Sequence, residues 1–229
     1  MSNETTTEKR PQRPILQTPQ GTAIWPRVNE PDTKFKPEGE YNIKLALDEE
    51  DASGLLEQIE AAAQEAEAEA KEKFKAIPAP KRKGKNVEEL SRSYEPEIRG
   101  EGDAAEETGR LLFNFKSTAS GVSKKTGKPW QRRIPIFDGV GQPTTVEVRG
   151  GFIVICAYTV QPWVNPKCEY GVKLQLEAVQ IVEAKSFARD AGAFGFGTVA
   201  GGFAAAAEGD SYGDDEADDD QDDSMPVDF

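Results

Sequence analysis

Residues 39–47, GEYNIKLAL, alternate Tyr41, Ile43, Leu45 and Leu47 with Asn42, Lys44 and Ala46. That period of two predicts a half-buried strand, one face on a core and the other on solvent. The period then changes. From Asp51 to about Ile77, Leu55, Ile59, Ala62, Ala66, Ala70 and Phe74 recur every three to four positions while Glu and Lys fill the opposite side. This predicts an amphipathic helix, capped by Asp51 or Ser53 and laid against one side of a sheet. Residues 78–109 carry no sustained period and read as a long, partly mobile excursion. Strands are expected next at 111–116, 131–137, 144–149, 152–160 and 172–182, short β-rich runs broken by Gly, Pro and Asp at spacings typical of a small barrel or sandwich. In VKLQLEAVQIV the apolar parity moves from Val172, Leu174 and Leu176 to Val179 and Ile181, which predicts a bulge near Ala178 of the kind that bends barrel strands.

Two stretches lie outside this patterning. Residues 1–20 are polar and proline-broken and read as a flexible arm without the apolar segment of a secretory signal, so the chain is expected to stay in the cytosol. Beyond Phe187, Gly and Ala dominate with isolated Phe residues, which predicts a folded body over 21–187, a linker over 188–207 and a tail over 208–229.

Charge gives the tail its meaning. The chain holds 41 acidic and 28 basic residues, for a formal net charge of −13. Eleven of the acids fall in Glu208–Phe229, a stretch without Lys or Arg that closes on Met225, Pro226, Val227, Asp228 and Phe229. Closely spaced carboxylates imitate a nucleic-acid backbone and compete for any groove lined with Lys and Arg. An aromatic end among acids suits a basic, partly apolar pocket on a partner.

The body is close to neutral, yet its charge is unevenly spread. Between Thr108 and Phe137 stand Arg110, Lys116, Lys124, Lys125, Lys128, Arg132 and Arg133 with no acid among them. The pattern reads as a hairpin, with basic residues crowding its turn and flanking Trp130. Lys and Arg track phosphates while aromatic faces stack on unpaired bases whatever their identity, so this combination points to single-stranded nucleic acid. Trp25, Phe35, Trp130, Tyr158 and Trp163 are the expected stacking platforms, and Arg27, Lys34 and Lys36 accompany the first two. No helix-turn-helix, zinc-finger or basic-zipper pattern is present, so recognition should not depend on sequence. Lys81, Arg82, Lys83 and Lys85 form a second cationic cluster, which reads either as a holder of phosphates or, by preference, as solvated surface charge.

Composition argues against catalysis. The chain has no His, which removes the commonest general base and the usual partner of a Ser or Cys nucleophile. Cys156 and Cys168 lack a metal-ligand or disulfide spacing and are expected as free thiols. No catalytic residue, metal or cofactor is expected, and no run is long and apolar enough to span a membrane.

Strand GEYNIKLAL, the acidic helix after it, strand GVKLQLEAVQIVE and the tail closing on Asp228 and Phe229 together resemble the single-stranded DNA-binding proteins of T-seven-type lytic bacteriophages. The resemblance implies a mainly β chain with an OB-fold five-stranded barrel, an inserted helix and a disordered acidic tail. It also implies a homodimer in the cytoplasm of the infected bacterial host, with roles in replication, recombination and repair. Asp218, Asp219, Asp220, Asp222, Asp223, Asp228 and Phe229 would then contact phage DNA polymerase and primase-helicase. A rival reading is an acidic-tailed chaperone or scaffold module for basic proteins. A third, a metal-dependent nuclease, predicts cleavage of DNA with magnesium.

Overall fold

The structure, a computed structural model, describes residues 13–100, 105–123 and 125–185. In chain order these form β1 (Leu16–Gln17), β2 (Gly21–Asp32), β3 (Glu40–Asp48), α1 (Ser53–Ala76) and a single 3-10 turn (Ala79–Lys81). Then come β4 (Glu89–Ser91), β5 (Tyr94–Arg99), β6 (Glu106–Thr118), β7 (Ser120–Val122), β8 (Pro129–Gln131), β9 (Ile136–Phe137), β10 (Ile153–Val164) and β11 (Tyr170–Glu183). Strand β10 pairs with β2, β2 with β3, β3 with β6, β6 with β11 and β11 again with β10. The ring closes on itself, antiparallel everywhere except the β6–β11 seam. This is the expected five-stranded OB barrel, and closure leaves its central strands without open edges.

Alternation decides what fills it. Tyr41, Ile43, Leu45 and Leu47 of β3 point inward and are almost fully buried, meeting Phe113, Phe115, Leu174, Leu176 and Val154. Each such side chain contributes roughly 1.5–3 kcal/mol by leaving water. Phe113 and Phe115 stand two apart and therefore share the inward face. The β10–β11 register slips between Ala157 and Tyr158, whose partners are Ala178 and Leu176. The bulge thus falls where the change of apolar parity puts it, and it keeps Val179 and Ile181 in the core beside Leu176.

Helix α1 buries Leu55, Ile59, Ala62, Ala63, Ala66 and Ala70 and packs on β10 and β11. Neither expected cap operates: Ala52 occupies the N-cap with no side-chain hydrogen bond, and its own N–H donates to Asp48 O in the turn leaving β3. The helix stops at Ile77, which adopts an extended conformation as the residue before Pro78 must. Arg82 seals that end, donating from Nε to Ile77 O and from Nη2 to Lys75 O while its guanidinium lies over Phe74. Lys85 donates to Pro166 O. Two members of the 81–85 cluster therefore serve the fold.

Four expectations are corrected. Residues 78–109 contain β4 and β5, and β5 lengthens the sheet by pairing with the first half of β6. Residues 144–149 are not a strand, because the Asn29 side chain bridges Val146 O and Val148 N where a ladder would run. The run 131–137 is split by Pro135, which has no N–H to donate, into the end of β8 and the short β9. Residues 13–20, assigned to a flexible arm, are tied to the body: Leu16 and Gln17 pair with Tyr158 and Ala157, and Thr18 exchanges hydrogen bonds with Cys156. The linker and tail expectations fall outside the described residues. No described helix is long and apolar enough to cross a membrane.

Candidate nucleic-acid interface

The outward residues of β2, β3 and β6 form a polar face. Arg27 pairs with Asn42, Asn42 with Lys116, Lys116 with Gln175 and Gln175 with Thr159, a continuous row across all five barrel strands. Beside it Lys44 stands between Ile24 and Asn114. The β2 ladder is interrupted between Ile24 and Arg27, where Trp25 takes a φ of 45° ahead of Pro26. A left-handed backbone is unusual for so large a residue and is held only where the surroundings impose it. Its consequence is exposure: the indole is 74% accessible, with Lys44 Nζ 5.6 Å from the ring.

The loop between β2 and β3 repeats the pairing. Phe35 is 83% exposed and Lys34 Nζ lies 5.3 Å from its ring. Asp32 Oδ1 accepts from Lys34 N and fixes the start of the loop. Its end depends on Gly39, at φ 73°, where an added Cβ would stand 3.0 Å from Pro31 and 3.3 Å from Ala119. Ala119 N donates to Gly39 O and Ser120 Oγ to Glu38 O, so this loop is stitched to the start of β7.

Strands β7 and β8 form a separate two-stranded ribbon rather than a continuation of the barrel hairpin. Trp130 lies across Gly121 of the opposite strand, where an added Cβ would meet the indole at 3.0 Å, and remains 40% exposed. Lys125 and Lys128 are exposed in the connecting turn, and Arg133 is exposed just past β8. Lys124 lies outside the described residues.

The cationic segment is less lopsided in space than in sequence. Acids from other elements meet it: Glu40 of β3 contacts Lys36 and, at 3.8 Å, Lys116. Glu95 of β5 holds Lys44 at 2.5 Å, Glu177 of β11 holds Arg132 at 3.5 Å, and Arg110 lies 3.7 Å from Glu97. Arg27, Lys34, Lys125, Lys128 and Arg133 make no ion pair among the described residues.

Tyr158 is removed from the set of solvent-facing aromatics. It is 1% exposed, stacks edge-on with Phe115 at 5.3 Å and donates to Gln58 Oε1, and burial pushes its phenol up to about 12. Its position in the strand has inward parity, shared with Val160. Trp163 is half-buried at the far end of β10, one ring face on Gly171.

Comparison with known proteins gives the chain its family. Residues 21–184 match the family model described as "Single-stranded DNA-binding protein, Bacteriophage T7". The chain belongs to this family. A single-stranded DNA-binding protein of Enterobacteria phage T3 is 30% identical over 159 residues, 66% of this chain and 65% of that one. The chain therefore spans about two thirds of the length of that curated relative. The fold also matches the crystal structure of gp2.5, a single-stranded DNA-binding protein encoded by bacteriophage T7, with a TM-score of 0.60 and 24% identity, covering 85% of this chain and all of that one. The family is one of binding proteins rather than catalysts.

In this family member the fold joins Trp25, Arg27 and Lys116 on one face, with Lys34 and Phe35 at its rim. The ribbon carries Lys125, Lys128 and Trp130, with Arg132 at its foot. Lys36, which the sequence sets close to Phe35, lies in the same loop, whereas Lys44 and Lys173 share the barrel face and are missed by the sequence reading, although the alternation of GEYNIKLAL and VKLQLE already turns both outward. The acidic residues of the tail, from Asp218 to Asp228, and Phe229 lie outside the described residues.

Proposed function

We propose that this protein binds single-stranded DNA without regard to sequence, coating it during phage replication, recombination and repair, removing its secondary structure and promoting annealing of complementary strands. The observation that carries this reading is the pairing of an open aromatic ring with an ammonium at two neighbouring places, Trp25 with Lys44 and Phe35 with Lys34. A base stacks on the free ring face, and the adjacent cation meets the phosphate that follows. The barrel strands and the loop after the first of them are where OB folds hold oligonucleotides, which supports the same assignment.

In this reading the protein acts as a homodimer in the cytoplasm of the infected host. Its acidic tail, Asp218, Asp219, Asp220, Asp222, Asp223, Asp228 and Phe229 included, covers the cationic face until DNA displaces it and frees the tip for phage DNA polymerase and primase-helicase. The test is a gel shift across salt with single-stranded and duplex oligonucleotides, using the full chain and a chain lacking residues 208–229. The reading expects single strands alone to shift, tighter binding after truncation and loss of polymerase capture. Equal retention of duplex overturns the binding assignment, and equal affinity of the two chains at low salt overturns the shielding.

A further inference from the structure

Where the barrel face meets the foot of the ribbon, four cations gather. Lys116 of β6 stands level with Gln175 of β11, and Lys173 is two residues from Gln175 on the same outward face. Lys36, from the β2–β3 loop, and Lys116 share the carboxylate of Glu40. Arg132 reaches in from beyond β8, donating to Ser117 Oγ at 3.0 Å and lying 3.5 Å from Glu177. Glu177 is itself engaged, accepting from Gln175 Nε2, whose Oε1 accepts from Gln161.

Two features set this cluster apart from an ordinary charged surface. Four cations face two carboxylates, so the cluster holds an excess of positive charge. Lys173 is half-buried and makes no ion pair among the described residues, and its pKa is lowered first by loss of hydration and then by Lys36, Arg132 and Lys116, against the pull of Glu40. A partly dehydrated ammonium among like charges is unfavourable alone and becomes favourable when an anion arrives. Glu40 is only 18% exposed, and its carboxylate offers Lys36 and Lys116 what a phosphodiester would, two oxygens and one negative charge.

We propose that Lys36, Lys116, Lys173 and Arg132 form a phosphate site for the DNA backbone, and that Glu40 is its built-in counter-ion, which surrenders Lys36 and Lys116 when a phosphate enters. The barrel thereby carries a competitor of its own, separate from the acidic tail. This rests on the single-strand binding described above. Lys36 sits on an exposed loop and can swing without disturbing the core, whereas Lys173 is fixed in β11 and marks where the phosphate comes to rest.

The experiment is fluorescence anisotropy of a labelled oligothymidylate with the full chain, titrated across sodium chloride, for the wild type, Glu40→Gln, Lys173→Gln and Glu40→Gln combined with Lys116→Gln. Glu40→Gln should bind about 2- to 5-fold tighter, the size of effect expected when one partly exposed charge is removed. Most of that gain should vanish in the combined variant. Lys173→Gln should bind more weakly, its log-log salt slope shallower by about 0.7, the value of one phosphate contact on a single strand. If Glu40→Gln melts like the wild type and binds no tighter, the counter-ion role is overturned. If Glu40→Gln is destabilised, Lys173→Gln decides, and an unchanged slope overturns the site. Failure of the wild type to bind oligothymidylate overturns single-strand binding itself.

Discussion

The barrel face and the β7–β8 ribbon both carry aromatic and cationic side chains, but they hold them differently. On the barrel, Lys44 and Lys116 each meet a carboxylate contributed by another strand, and Trp25 is set by a constrained backbone on a closed sheet. On the ribbon, Lys125 and Lys128 project from a turn without an acidic partner among the described residues, and Trp130 rests on a glycine of a sheet only two strands wide. The difference separates two tasks that composition alone merges. Unpaired, exposed charge draws a polyanion from a distance and is weakened by salt, whereas a rigid ring at a fixed place supplies short-range binding that salt barely touches.

The contrast is broken most severely by attacking what holds the barrel face rigid. Tyr158→Ala should destabilise the protein by about 3–5 kcal/mol, the cost of emptying a buried aromatic site, while Trp130→Ala should leave stability within about 0.5 kcal/mol. Chemical denaturation reads both. Next in size, Trp25→Ala should weaken single-strand binding by about 1–3 kcal/mol at both low and high salt, since stacking is the interaction removed. Replacing Lys125 and Lys128 together by Gln should act in the opposite way, lowering the salt slope by about 1.4 while binding at high salt barely changes. Titration at several salt concentrations separates the two.

The smallest effect concerns buried groups that ionise only at high pH. Burial pushes the Tyr158 phenol up to about 12 from an ordinary value of 10, so its neutral form is the one the fold favours. Stability from this source is complete below pH 10 and is lost as pH rises through about 12, which a melting series over that window checks. The Cys156 thiol is likewise pushed up to about 12, so native protein should resist alkylation of Cys156 at pH 8 and lose that resistance on unfolding.

How much of this the sequence discloses follows from how far each feature reaches along the chain. The inward set of β3, the buried stripe of α1 and the bulge beside Ala178 are written in neighbours one to four positions apart, and periodicity finds them. The site is written in pairings between distant segments. Glu40 neutralises Lys116, and Glu95 reaches Lys44, only because β3, β5 and β6 lie side by side. An acid-free run between Thr108 and Phe137 therefore overstated the bare charge of that region. Tyr158 was misread for a related reason: a polar neighbour such as Thr159 suggests an exposed edge, whereas strand parity assigns the ring to the core. Asn29 in place of a ladder over 144–149 left no sequence mark that periodicity could use, since a side-chain amide there imitates a strand.

The central claim, that Trp25 and its neighbours on the barrel receive unpaired bases, is tested most directly by intrinsic tryptophan fluorescence during titration with oligothymidylate and with duplex DNA, comparing the wild type with Trp25→Leu. The account predicts quenching by single strands alone, with most of the salt-resistant part of it lost in Trp25→Leu. Equal quenching by duplex, or quenching and affinity unchanged in Trp25→Leu, would contradict it.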